Sequence, residues 1–170
     1  MTDFRAMFGD ELWKRRTVEW AEVEAALGVG LPEDYKSYAE QYPALYFDSL
    51  ITILHPGHAD PALNLLAFGK RIRDAWRAFG PTFGPPAMSL SMYPAAGGLL
   101  LWGFDADLGY YFWRTRGKPS EWTIVVEESS QWWEFDGGFG DFWASLTNGE
   151  ISSPVIPEGF PDEDYVVEEA

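Results

Sequence analysis

The chain predicts an α+β domain in which helices pack against one largely antiparallel, twisted sheet. Three observations carry this expectation. Helical periodicity is confined to the first half of the chain and to one short segment near residue 142. Short runs of β-branched and aromatic residues follow one another across tight turn chemistry, the pattern of antiparallel strands. Finally, 170 residues at 46% hydrophobic composition suit one core and a single domain.

Residues 1–16 lack a clean period and are expected to form a short helical preface, an N-terminal extension. Thr17 is placed to cap a helix with apolar positions Trp20, Val23, Ala26 and Leu27, and Gly28 supplies its left-handed stop. Pro32 then sits in a tolerated first-turn position, and Glu33 and Asp34 suit the positive end of a second helix. Tyr35, Tyr38, Ala39 and Tyr42 form its buried stripe before Pro43 ends it. Phe47 to Leu54 is expected as one strand, closed by the turn His55-Pro56-Gly57.

A third helix is expected from Asn64 to Phe79, with Leu65, Phe68, Ile72, Trp76 and Phe79 inward and Gly80-Pro81 as its stop. Residues 80–98 are rich in Pro and Gly and are expected as a long connection. Leu99 to Trp102 predicts a central strand, and Tyr110 to Arg114 its partner across the turn Phe104–Gly109. Trp122 to Val126 and Gln131 to Phe135 predict two more strands. A last helix follows Gly137–Gly140, with Phe142 and Leu146 inward and Asn148-Gly149 as its stop. The segment 154–170 carries three prolines and six acids, and is expected to be an extended, partly mobile acidic tail.

Charge is segregated along the chain. From Pro119 to Ala170 there are thirteen Asp and Glu and no Lys or Arg, so this stretch supplies −13 of the total −15. Such a field repels phosphate and attracts basic proteins. Cysteine is absent, which excludes disulfides, thiolate catalysis and thiolate-bound metal, and fits a reducing compartment. The start Met-Thr-Asp-Phe-Arg-Ala lacks a basic stretch followed by an apolar run, and no run of about 18 apolar residues exists, so a cytoplasmic protein is expected. Most of the nine tryptophans are expected in the core, because each aromatic buries some 150–250 Å².

Signals for catalysis are weak throughout. His55 and His58 with Asp60 flank a Pro-Gly turn, which offers no common face for a metal, so no metal and no cofactor are expected. No Ser lies in a Gly-x-Ser-x-Gly turn. Gly69-Lys70 lacks the rest of a phosphate loop, and Asp136 and Asp141 bracket Gly137–Gly140 with charge that opposes an anion. Asp105-Ala106-Asp107 opens like a calcium loop but lacks its later ligands, so a hairpin tip is expected. Glu127 and Glu128, adjacent in a strand, point to opposite faces and would not converge on one substrate. The basic residues Lys70, Arg71, Arg73 and Arg77 are expected to be a solvated helix face, Lys70 pairing with Asp74, with pairing to the acidic end as another reading.

The order of these signals resembles the SUKH superfamily, also called the Smi/Knr family. The resemblance is carried by Glu24 to Lys36, which contains Leu27-Gly28 and Leu31-Pro32-Glu33-Asp34-Tyr35, then by Ile51 to Pro56 and by Gly98 to Gly103 with Asp105. Tyr111 to Trp113, Trp122 to Val125, and Gly138 to Phe142 followed by Leu146 match the last third. The family often has a glycine-rich loop after the second helix; here Tyr42 to Tyr46 replaces it. The likeness spans roughly Thr17 to Phe160, and residues 17–153 are taken as the SUKH-like domain.

The resemblance implies a non-enzymatic protein-binding module. Many bacterial members look like immunity proteins that neutralise a toxin domain, frequently a nuclease, while others are regulatory interaction modules. The expected partner is therefore a basic protein, met by an acidic face of Glu127, Glu128, Glu134, Asp136, Asp141 and Glu150 with Trp132 and Trp133 as aromatic anchors. A carbohydrate-binding protein is the remaining alternative, and it requires several Trp on one exposed face.

Overall fold

The computed structural model describes residues 2–79 and 90–170. The preface is a helix, α1 (Phe4–Phe8), whose first turn is capped where the Asp3 carboxylate accepts the Arg5 N–H at 3.2 Å. Phe4, Met7 and Phe8 are buried, so this segment is part of the core and not an appendage. Thr17 does not cap the next helix, α2 (Trp20–Leu27), whose N-terminal flank is Glu19 without a side-chain cap. The physical reason is upstream: Lys14 and Arg16 donate backbone hydrogen bonds to the Gln41 and Glu40 carbonyls, which holds the chain extended through this stretch. Gly28, at φ 78°, ends α2 as expected.

The helix α3 (Glu33–Ala39) follows Pro32, which flanks it instead of entering its first turn. Here the Leu31-Pro32-Glu33-Asp34-Tyr35 motif acquires a physical account. The Leu31 N–H donates to Glu24 Oε1 at 2.9 Å, and Lys36 reaches the same oxygen at 2.6 Å. Asp34 Oδ2 accepts the Gly140 N–H at 2.8 Å, and the buried Tyr35 hydroxyl donates to the Leu54 carbonyl at 2.7 Å. One short motif thus ties α2, α3, the sheet and a distant helix together.

The expected single strand over 47–54 is a hairpin, β1 (Leu45–Phe47) and β2 (Ile51–Ile53). Asp48 and Ser49 turn it with φ of 47° and 55°, a left-handed geometry that these short polar side chains tolerate. α4 (Leu65–Phe79) starts where Asn64 Oδ1 accepts the Leu66 and Ala67 N–H groups, both at 3.0 Å. The Phe79 side chain, expected inward, the Gly80-Pro81 stop and most of the connection expected over 80–98 lie outside the described residues.

Next come β3 (Leu99–Asp105), β4 (Tyr110–Arg114), a 3₁₀ turn at Pro119–Glu121, β5 (Thr123–Glu128) and β6 (Gln131–Phe135). α5 (Phe139–Thr147) and β7 (Val167–Glu169) complete the chain. The sheet has seven strands in the order β6-β5-β4-β3-β2-β1-β7, and every pairing is antiparallel. This is the expected α+β architecture.

The segment set apart as a mobile tail is docked. Val155 and Ile156 are buried, and β7 pairs with β1 in register Leu45–Glu169 to Phe47–Val167. The Tyr165 hydroxyl donates to the Met7 carbonyl at 2.7 Å, and its ring packs 4.9 Å from Phe47. Composition alone, with prolines and acids, masked these apolar contacts.

Two helical layers cover the sheet. On one face α1, α3 and α5 enclose an aromatic core: Tyr35 meets Trp113 at 4.9 Å, Phe139 meets Trp102 at 5.1 Å, and Phe8 meets Trp143 at 5.2 Å. On the other face α4 packs Phe68 against Phe104 at 4.9 Å and Trp76 against Phe112 at 6.0 Å. Such aromatic pairs each contribute about 0.5–1.5 kcal/mol beyond their buried area. Trp102, Trp113, Trp122 and Trp143 are buried and Trp20, Trp76, Trp132 and Trp133 pack half-buried against the core, so most tryptophans belong to it as expected.

Candidate functional site

Antiparallel pairing of β4 with β5 sets Tyr110 opposite Glu127, and so brings two hairpin tips side by side. The β3–β4 tip is organised by Asp105, whose Oδ1 accepts the Asp107 N–H at 3.0 Å and the Gly109 N–H at 2.7 Å. Leu108, at φ 70°, is pushed outward and left 78% exposed. The β5–β6 tip turns through Ser129 and Ser130, both left-handed at φ 52° and 67°. Glu127 holds this turn, its Oε1 accepting the Ser130 N–H at 2.9 Å.

Both organising carboxylates are only 6% exposed. Burial pushes Glu127 above the ordinary carboxylate range; the Ser130 N–H opposes this, while Glu128 and Asp105 add to it. Burial raises Asp105 in the same way, against the pull of the Gly109 and Asp107 N–H groups and the Tyr111 hydroxyl. Two clefts flank the tips. One, of about 500 Å³, lies between α4 and the tips, walled by Ile72, Trp76, Leu108 and Tyr110 with Glu127 in its lining. The other, of about 320 Å³, lies between the tips and the C-terminal segment, lined by Asp105, Asp107, Glu128 and Glu158. Five carboxylates therefore line the two clefts, and among the described residues no Lys, Arg or His does.

The eight residues expected to form one acidic face are divided by the fold. Glu127 is buried on the α4 side, and Glu128, half-buried, lines the second cleft. Trp132, also half-buried, packs on Trp76 at 5.7 Å and Phe112 at 6.3 Å, whereas Trp133 lies on the opposite face beside Phe135 at 6.0 Å. Glu134 is neutralised by Arg114 and accepts the Thr123 hydroxyl at 2.7 Å. Asp136 and Asp141 are exposed beyond the far end of β6, where Asp141 accepts the Gly138 N–H at 3.2 Å. Glu150 is exposed after α5.

A single outward patch of C-terminal carboxylates is thus corrected. Strand alternation sends Glu127 and Glu128 to different faces. The acids of β7 sit at the opposite sheet edge from β6, six strand spacings or roughly 29 Å away. Sequence reasoning missed Asp107, Glu158, Trp76 and Tyr110 as parts of a site. The available signal was an Asp-x-Asp turn and a Glu-Glu pair at the ends of two successive hairpins.

The remaining candidates are structural. His55 is buried, its Nε2 meeting the Ala39 carbonyl at 2.9 Å and its Nδ1 accepting the Gly57 N–H at 3.0 Å; burial lowers its pKa. Among the described residues, no cluster of three or more His, Asp or Glu is arranged to hold a metal ion. Trp13 alone of the tryptophans is exposed, at 42%, so no face offers the several stacked Trp that a carbohydrate site needs. On α4, Lys70 pairs with Asp74 as expected, and no ion pair among the described residues joins this helix to the acidic end. No described helix is long and apolar enough to cross a membrane.

Comparison with curated proteins and with solved structures gives no significant match. A family model does match: the one described as SMI1-KNR4 cell-wall, of the SUKH group, aligns with residues 18–142. That span holds the α2–α3 motif, both acidic hairpins and the start of α5. The chain belongs to the SUKH superfamily, in its SMI1-KNR4 family.

Proposed function

We propose that the chain is a non-catalytic immunity-type protein that binds a toxin domain, of the nuclease kind, and blocks its basic active surface. The observation that carries this reading is the charge of the hairpin end: two adjacent clefts with five carboxylates in their walls and, among the described residues, no cation. A nuclease cleft is positive because it must hold phosphates, so a rigid acidic surface can occupy it as a substrate mimic. Asp107, Glu128 and Glu158 are the first contacts, and Asp136, Asp141 and Glu150, away from the tips, add only to the long-range negative field. Exposed pairs contribute only about 0–1 kcal/mol each, so affinity rests on desolvated pairs and aromatic anchors. A cysteine-free chain fits action in the bacterial cytoplasm.

Co-expression tests the reading. Cells making the toxin domain encoded beside this chain survive when the chain is present and die without it. A triple variant, Asp107→Asn with Glu128→Gln and Glu158→Gln, slows association of the purified pair at least tenfold, and 0.5 M salt does the same to wild type. A regulatory module with no toxin partner is the answer if no neighbouring toxin is encoded and no poisoned cell is rescued.

A further inference from the structure

We infer that the cleft between α4 and the hairpin tips is a socket for one arginine side chain of the partner protein, with Glu127 as its anchor. The inference rests on the reading of a basic protein partner and specifies how the chain grips it.

The floor of the socket is unusual. Glu127 is 6% exposed and one of its oxygens accepts the Ser130 N–H, yet no ion pair among the described residues provides it with a cation. Burying a carboxylate without a counter-charge is costly, and a well-folded chain has cheaper ways to hold a serine turn. Arg71 of α4 forms no ion pair with Glu127: its guanidinium lies over the Phe68 ring at 4.5 Å, within electrostatic reach of Tyr110. The charge is therefore kept uncompensated at the wall of a cleft that opens to solvent.

The walls favour a flat cation over a neutral apolar group. Trp76 and Tyr110 meet edge to face at 6.3 Å and 76°, and Trp132 stands behind Trp76 at 5.7 Å and 67°. Trp76 and Tyr110 belong to the cleft lining, and aromatic rings attract a guanidinium, whose planar fork also matches a carboxylate better than an ammonium does. At the lip, exposed Leu108 offers cover for the aliphatic stem and Asp107 adds negative charge at the entrance. Apolar walls with one buried acid select a long basic side chain, and they reject an acidic or a purely apolar one.

The test uses Nα-acetyl-arginine-methylamide as probe on the full chain, followed by ¹H–¹⁵N spectra. Its titration shifts the indole signals of Trp76 and Trp132 and the backbone signals of Leu108 and Ser130, saturating at a Kd of about a few millimolar. The isosteric but neutral citrulline probe leaves them in place, and the lysine probe binds several-fold more weakly. Glu127→Gln, which keeps the acceptor for Ser130, weakens the arginine probe at least tenfold. Equal binding of citrulline, shifts confined to other surfaces, or an unchanged Kd in Glu127→Gln overturns the socket. Toxin rescue separates the two readings: protection that survives in a chain blind to arginine removes the socket alone. Arginine binding without any rescue removes the toxin reading and leaves the socket standing.

Discussion

Asp34→Ala tests whether the SUKH motif acts through a bond that spans 106 positions of sequence. Asp34 Oδ2 accepts the Gly140 N–H at 2.8 Å, at the start of α5, while Oδ1 accepts the Tyr35 N–H at the same distance. Truncation leaves an orphan donor in the first turn of a helix whose Phe139, Phe142 and Trp143 are buried. A hydrogen bond to a charged group contributes about 1.5–3 kcal/mol, and an acid near a helix N-terminus about 0.3–1 kcal/mol. Because Asp34 is half-buried, the lower ends apply, giving a loss of about 2 kcal/mol. For a chain of this size that lowers Tm by about 4–8 °C. Asp34→Asn keeps the acceptor and loses about half as much. Urea unfolding followed by tryptophan fluorescence measures both variants. An unfolding free energy for Asp34→Ala within about 0.5 kcal/mol of wild type, or equal losses for Ala and Asn, refutes the reasoning.

Two further outcomes follow from burial. Because the folded Glu127 carboxyl lies above its ordinary range, its ionisation opposes folding: the penalty is absent below the unfolded value and grows as pH rises through the folded one. Glu127→Gln therefore gains stability over wild type between pH 4 and pH 7, and an advantage that is flat with pH in urea unfolding excludes this origin. Ile156→Ala, within the docked C-terminal segment, costs about 2–4 kcal/mol, and ending the chain at Ser153 costs more. An unchanged thermal midpoint after that deletion contradicts the docking.

The fold was legible where local chemistry and tertiary context agree. Gln131–Phe135 and Tyr110–Arg114 form strands with the expected bounds, and Gly28 ends its helix. The misses have two physical causes, a turn built without its usual residue and contacts made far along the chain. Asp48-Ser49 was read through as strand because its left-handed turn uses no glycine, and β7 was hidden because its partner strand lies more than a hundred residues away. Thr17 failed as a cap because long-range backbone bonds fixed the chain around it. The site was only half legible for the same reason. The sum of acidic residues was visible, but which of them converge depends on strand register, and register placed Glu127 opposite Tyr110 and Trp132. Periodicity cannot report a cross-strand neighbour.

The docking of β7 has a practical corollary. Ala170 donates its N–H to the Ala44 carbonyl, and Tyr165 is fastened to Met7, so the C-terminal segment is held to the β1 edge and to α1. β7 stands four strand spacings from β4, roughly 19 Å from the tips that line the clefts. Register puts Glu169 in the row of Leu45, Ile53 and Gly103, the end of the strands away from Asp105, so a fluorophore, a surface tether or a fused polypeptide attached after Ala170 sits away from the two hairpin tips.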